Sequence, residues 1–228
     1  MHLPVSHKIH QHQFWLSTDR TLFWEEEKAL IVSDLHFGKT GHFRKSGIAV
    51  PASLYREDLQ RLVNQIQYFQ PRQLIIVGDM FHSHANAELD LFLKWRSDLS
   101  GIDIRLIKGN HDILQTEWYD KAGIQISGLT HSVEDFHFVH DVVGHFENKE
   151  GRQAKKSGKN SYFFSGHIHP GIRIQGSGRQ SLCFPCFYFG KKYAVLPAFS
   201  RFTGIAVIHP AAEEQVFAIV NQELIQLQ

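Results

Sequence analysis

The chain has 228 residues, of which 43% are hydrophobic and 21% charged, with a formal net charge of +1. That balance excludes a disordered polyelectrolyte and fits one soluble α/β domain over residues 1–228. No apolar run approaches the roughly 18 residues of a membrane span, and the first eight residues lack the apolar core of a signal peptide, so the cytoplasm is the expected location.

Taken in chain order, the early histidines His2, His7, His10 and His12 are scattered and lack acidic partners in sequence, which suggests exposed side chains or chance metal affinity. Phe14-Trp15-Leu16, Thr21-Leu22-Phe23-Trp24 and Ala29-Leu30-Ile31-Val32 are short apolar runs. Asp19 and the polar stretch from Glu25 to Lys28 separate them as turns separate strands. Leu54, Leu59, Leu62, Val63 and Ile66 then recur at helical spacing behind Pro51, a residue suited to a first turn. Leu74-Ile75-Ile76-Val77 is continuous and apolar, as in a strand buried on both faces. Residues 86–98 read as a second helix through Leu89, Phe92, Leu93 and Trp95, and residues 102–107 as another buried strand.

Beyond residue 112 the pattern changes. Residues 136–139, 162–165, 172–174, 181–189, 193–196 and 204–208 all read as strands, with few helices between them. The whole predicts an α/β chain of two mixed sheets packed face to face, with helices outside. Residues 149–159 hold five basic residues, one acidic residue and two glycines; they read as a solvated loop, or alternatively as a contact for a phosphate backbone. Cys183 and Cys186 share a C-x-x-C spacing, but their aromatic surroundings fit a strand better than half of a zinc site.

The chemistry lies where apolar strands end. Val32-Ser33 leads into Asp34-Leu35-His36, Val77-Gly78 into Asp79, Lys108-Gly109 into Asn110-His111-Asp112, Val139 into His140, and Ser165-Gly166 into His167-Ile168-His169. Strand ends are rigid, and α/β sheets place their sites beyond them. Asp34 and His36 are two apart, as are His167 and His169; on an extended strand such residues share a face. Gly78, Gly109 and Gly166 fit a tight exit turn or a close approach of backbone to the site. Each motif alone arises readily by chance. Together, in this order and each at the end of a buried strand, they make a strong signal for a metal site in which each pair could grip one or two ions.

This ordered set resembles that of the calcineurin-like metallophosphoesterases. Ser33-Asp34-Leu35-His36-Phe37-Gly38-Lys39, with His42-Phe43-Arg44 and Gly47 to Pro51, is similar to the bacterial DNA-ligase-associated metallophosphoesterases, as are Pro185-Cys186-Phe187, Val195 to Phe199 and Phe202-Thr203-Gly204. The resemblance implies a four-layer α/β/β/α sandwich and two divalent ions. One ion would take Asp34, His36, Asp79 and His169, and the other Asp79, Asn110, His140 and His167, with Asp79 as the bridge. Mixed oxygen and imidazole donors suit manganese, iron, zinc or nickel, and manganese is the first choice. Two close cations lower the pKa of a shared water, whose hydroxide attacks phosphorus.

Within that scheme His111 is the expected general acid, since an imidazole titrates near neutrality. Asp112 either orients it or forms a structural salt bridge. Lys39 and Arg44 follow the first motif closely enough to reach a substrate phosphate; Arg201 is a weaker candidate, and His82 and His84 are outer donors or substrate contacts. Phe37, Phe43 and Phe81 are better placed in a core than against a base. The resemblance further implies a phosphodiesterase acting on DNA in repair, in association with a ligase, a helicase and a nuclease. A small nucleotide or cyclic nucleotide is the alternative substrate, and a non-catalytic scaffold on the same fold is the third reading.

Overall fold

The computed structural model describes residues 2–39, 47, 51, 53–82, 87–99, 101–147, 158, 160–176, 178 and 180–227. Arg44, His42, Phe43, His84 and nearly all of the basic 149–159 stretch lie outside them.

The first sheet is ordered as the chain runs: β1 (Val5–Ile9), β2 (His12–Leu16), β3 (Leu22–Trp24), β4 (Ala29–Ser33), β5 (Gln73–Val77), β6 (Asp103–Ile107) and β7 (Ile124–Ile126). From β1 to β4 neighbours are antiparallel; from β4 to β7 they are parallel. Parallel neighbours need crossovers. These are supplied by α1 (Ser53–Phe69), α2 (Ala87–Asp98) and α3 (Thr116–Lys121).

The second sheet is also mixed. It comprises β8 (Thr130–Val133), β9 (Phe136–Val139), β10 (Tyr162–Ser165), β11 (Pro170–Gln175), β12 (Ser181–Phe189), β13 (Tyr193–Val195), β14 (Ala206–Val207), β15 (Gln215–Val220) and β16 (Glu223–Gln226). The spatial order is β14-β11-β12-β13-β10-β9-β8, with β15 on β12 and β16 on β15. A short helix, α4 (Val142–Glu147), follows β9. The long strand β12 changes partners midway: residues 181–185 pair with β11, and residues 186–189 with β15.

Side-chain alternation on β4 and β5 sorts two cores. Leu30, Val32, Leu74 and Ile76 pack under the helices with Leu59, Leu62, Ile66 and Phe92. Ala29, Ile31, Ile75 and Val77 face the second sheet, against Phe136, Phe138, Phe164 and Phe187. That seam is aromatic throughout, with Phe14 and Trp24 stacked at 5.5 Å and Phe138 and Phe164 at 5.4 Å. The two-period burial on both faces explains why these strands read as unbroken apolar runs. Outside the second sheet, α4 packs Val142 with Val139 and Phe163. The fourth layer is therefore one short helix among the described residues.

Some sequence expectations need correction. Of the early histidines, His2 and His10 are exposed as expected, but His7 and His12 are half-buried. His7 stacks on Phe189 with ring centroids 4.1 Å apart, and burial lowers its pKa to about 4. His12 accepts from the Trp24 indole at 3.1 Å and stands 3.3 Å from Glu134, an acidic partner distant in sequence. The elements α3, α4, β1, β7, β8 and β16 are short or polar enough to have escaped the pattern, whereas β15 is an apolar, mostly buried strand that the sequence expectation did not include. Cys183 is exposed and Cys186 buried on β12, which confirms the strand. An offset of three puts their side chains on opposite faces.

Candidate metal centre

The motif-bearing turns converge at one edge of the seam between the sheets. Asp34 and Asp79 are buried at 0% and 2% exposure, a costly state for carboxylates without compensating partners. Asp34, His36 and His169 bring one donor atom each within 4.8 Å of one another, and so do Asp34, Asp79 and His140. The Nε2 atoms of His36 and His169 face each other at 3.3 Å, and His169 Nε2 lies 3.4 Å from Asp34 Oδ1. His140 Nε2 lies 3.4 Å from Asp79 Oδ2, 3.0 Å from Asn110 Oδ1 and 3.1 Å from His167 Nδ1. The seven sequence-predicted ligands thus sit in one cluster. Imidazole nitrogens and carboxylate oxygens gathered this closely form a donor set fit for divalent cations.

The local backbone differs from the expectation. Asp34, His36, Asp79, His167 and His169 all have φ between 48° and 71°, the left-handed region that non-glycine residues rarely occupy. The paired ligands do not share a face because a strand alternates. The chain leaves each strand and turns sharply, and the turn aims both side chains inward. Such conformations cost about 1–3 kcal/mol each and persist where surrounding contacts enforce them. Backbone bonds provide that enforcement: Asp34 N–H donates to Gly78 O at 3.1 Å and His36 N–H to Asp79 O at 2.9 Å.

The glycines serve close approach. A Cβ on Gly78 would lie 1.9 Å from His140 Nδ1, one on Gly109 2.2 Å from Asp79 Oδ1, and one on Gly166 2.4 Å from Asp34 Oδ2. Only Gly78 among them also needs positive φ, at 76°. The ligands are further held from behind. His140 Nδ1 contacts Val77 O at 3.3 Å, His169 Nδ1 contacts Gly204 O at 3.3 Å, and His167 N–H donates to Asp34 Oδ2 at 3.1 Å.

The electrostatics follow from burial and proximity. Burial alone would raise the pKa of Asp79, but the His140 hydrogen bond and charge and the His111 N–H pull it well below the usual carboxylate range. Burial likewise opposes charge on His140, yet its bond to Asp79 and the charge of Asp34 raise its pKa to about 9. His36 goes the other way, kept neutral chiefly by burial and next by the Lys39 charge. A neutral imidazole is the form that ligates a cation.

The remaining sequence candidates divide. His111 stands at the rim: its N–H donates to Asp79 Oδ1 at 2.9 Å, and its Nε2 is 3.9 Å from Asp79 Oδ2. Asp112 is buried, and its oxygens accept from the Phe81 N–H at 3.1 Å and the Gly109 N–H at 2.9 Å. Its carboxylate ties the turn after β5 to the turn after β6, an arrangement the sequence reading did not include. Burial raises its pKa to about 6 against those two bonds. Lys39 is half-buried and feels the charges of Asp79 and Asp34. His82 stacks at 4.2 Å from the His111 ring. Phe37 and Phe81 are core residues, while Arg201 is mostly exposed, 3.9 Å from Asp19.

Sequence reasoning missed two arginines. Arg20 donates to the carbonyls of Ala198 and Ser200 at 3.0 and 2.8 Å, and Arg61, paired with Asp58 at 2.7 Å, donates to Phe199 O. Together they brace the 198–204 turn, whose Ser200 N–H donates to Asp34 O and whose Gly204 carbonyl meets His169. Arg61 lies on α1 and Arg20 in a turn, so no local pattern marks either as buried.

The overall fold is similar to that of a known nuclease. The structure of Pseudomonas putida nuclease MPE superposes with a TM-score of 0.76 at 26% identity, covering 95% of this chain and 96% of that one. The phosphoesterase Yfce from E. coli gives a TM-score of 0.44 at 14% identity, covering 87% and 97%. No curated protein matches in sequence. Residues 28–169, more than half of the chain and the whole of the ligand cluster, match the calcineurin-like phosphoesterase family. The chain belongs to that family and is a metal-dependent phosphoesterase.

Proposed function

We propose that the protein is a two-metal phosphodiesterase that cuts DNA in repair, acting in the cytoplasm as a single domain. The observation that carries the reading is the convergence of seven ligand-type side chains from five turns on one cluster, in which Asp34, His36, Asp79 and His140 are buried and Asn110 and His167 are open to solvent. The P. putida nuclease, similar over nearly the full chain, supports a polymeric nucleic-acid substrate. The motif resemblance supports work beside a DNA ligase, a helicase and a nuclease.

Asp34, His36, Asp79 and His169 would hold one ion and Asp79, Asn110, His140 and His167 the other, with manganese favoured for both. Asp34 belongs to both tight groups of donors and Asp79 to one, where it stands 3.4 Å from His140; both carboxylates are therefore candidates for the bridge. When bound, the ions supply Lewis acidity and a water of lowered pKa. His111, held over Asp79 by its own N–H and not needed as a ligand, passes a proton to the departing oxygen. Asp112 keeps the His111 turn in register with the Asp79 turn. Lys39, and Arg44 from its place in the same motif, draw in the substrate phosphate.

A substrate panel with metal analysis tests this. Purified protein is expected to contain close to two metal equivalents and to cleave both a chromogenic diester and single-stranded or nicked DNA, each activity lost to a chelator. His111→Ala is expected to lower DNA turnover by roughly 10²–10⁴-fold, the range of general acid catalysis, while both metals stay bound. Hydrolysis of mononucleotides with no cleavage of any polymer would refute the nuclease assignment.

A further inference from the structure

A groove of about 580 Å³ opens on one flank of the cluster, lined by Lys108, Asn110, Leu129, His140, His145 and His167, among others. It meets the Asn110–His140–His167 side directly, since those residues form its inner wall. Its volume falls in the range of about 300–1,000 Å³ typical of sites for small organic ligands, far more than a bare phosphate needs. Its outer wall is unusual. Leu129 is 80% exposed, standing on the turn after β7, next to Gly128 at φ 68°. That turn is not free to wander: Lys108 N–H donates to Gly128 O at 2.8 Å, which couples it to the ligand-bearing Gly109-Asn110 turn. Opposite, His145 on α4 packs its ring on Phe163 at 5.4 Å. The acid in the wall, Asp141, has Oδ1 accepting from the Gly144 N–H at 3.0 Å.

We infer that this groove is a nucleotide subsite, seating the sugar and base next to the scissile phosphate, with Lys108 meeting the neighbouring phosphate and Leu129 covering the base. The inference rests on the nuclease reading above and specifies the strand's path. The chemistry fits a nucleotide unit. The exposed Leu129 suits the face of a base, and Lys108, beside the metal turn with its ammonium 5.8 Å from the centre of the Tyr119 ring, suits the next anion along a polyanionic strand. A phosphomonoester would use neither. The groove is formed on the side of the second ion, so the strand is seated asymmetrically about the cleavage point.

Kinetics on the metal-loaded enzyme test the proposal, with single-stranded DNA and a chromogenic diester run in parallel across a salt series. Lys108→Gln is expected to lower kcat/KM for DNA at least tenfold relative to kcat/KM for the diester. It should also reduce the slope of log KM against log salt by about 0.7, one phosphate contact on a single strand. Leu129→Ser, at a site too exposed to threaten folding, is expected to raise KM for DNA with the salt slope intact, because it removes an apolar contact and no charge. An equal loss on both substrates, or an unaltered salt slope in Lys108→Gln, would overturn the subsite. If the unsubstituted enzyme cleaves the diester but no DNA, the nuclease reading itself fails and the subsite falls with it, an outcome visible before any variant is made.

Discussion

The two sheets contribute different chemistry to one centre. The turns leaving β4, β5 and β6 supply the oxygen donors Asp34, Asp79 and Asn110, with His36 as their one proposed imidazole ligand. The turns leaving β9 and β10 supply imidazoles alone, His140, His167 and His169. Both tight donor groups mix the sheets: His169 joins Asp34 and His36, and His140 joins Asp34 and Asp79. Neither half carries a complete group. The lesson is that docking the sheets through the aromatic seam and assembling the metal centre are one event, so packing far from the chemistry controls how well the donors meet.

The largest effect is expected from Asp79→Asn, which removes the carboxylate between the two sets. Activity should fall on the order of 10³-fold or more, beyond the 10–100-fold usual for groups behind the ligands. Metal analysis sharpens the comparison. Loss of both ions in Asp79→Asn with only one lost in Asp34→Asn would make Asp79 the bridge; the reverse pattern would give that role to Asp34, which geometry alone places in both groups.

Next comes the seam itself. Phe164, fully buried, stacks on Phe138 at 5.4 Å and tilts against Phe14 at 5.3 Å. Phe164→Ala is expected to cost about 3–5 kcal/mol of unfolding free energy, the transfer of a large ring plus its cavity. Denaturant unfolding measures this. Because β10 ends in the His167 turn, metal affinity should weaken even where the variant stays folded. Unchanged metal affinity in folded Phe164→Ala protein would separate docking from assembly and break the comparison.

What the sequence made legible follows the same division. Apolar runs identified β4 and β5 because burial on both faces leaves no polar residue to interrupt them, β6 was legible through Ile104, Leu106 and Ile107 despite Arg105, and the ligand residue types at the strand ends were visible in order. The orientation of those ligands was not. Alternation predicted that Asp34 and His36 share a face on a strand, but left-handed turns at Asp34, His36, Asp79, His167 and His169 do the aiming. Asp and His enter the left-handed region more often than other non-glycine residues, but too seldom for the residue type alone to mark the turn. The bond of Asp112 to Phe81, and those of Arg20 and Arg61 to the 198–200 carbonyls, were equally hidden, since each joins a side chain to a backbone group of another segment. The polar strand β1 was missed because its inward residue His7 does not look like core.

Glycine at position 78 tests the close approach. Gly78→Ala places a methyl group 1.9 Å from His140 Nδ1 at a φ of 76°, so the imidazole must move and the backbone is strained besides. Turnover is expected to drop roughly 100-fold, comparable to disturbing a group that orients a ligand, with the loss concentrated on the ion held by His140. Isothermal titration with manganese reads the two affinities separately. A variant whose weaker site is the one served by His36 and His169 would show that the strain, and not the collision with His140, is what matters.

The smallest effect expected is at Ser165, which touches no proposed metal position. Its hydroxyl donates to His140 O at 2.8 Å and accepts from the Val142 N–H at 3.0 Å, and all of this is buried. The group therefore links β10 to the turn that carries His140 and to the start of α4. Ser165→Ala would leave that N–H unsatisfied, a penalty of about 1–3 kcal/mol, and would loosen the His140 turn without altering any donor atom. Metal affinity is expected to fall about tenfold, the lower end for outer-shell changes. Ser165→Thr retains the hydroxyl and is expected to recover part of the affinity if its methyl group is accommodated; Ser165→Cys offers only a weak donor and should recover less. A ranking that followed side-chain volume and ignored hydrogen-bonding capacity would mean that Ser165 acts by packing, and that His140 is fixed instead by its contacts with Val77 O, Asp79, Asn110 and His167.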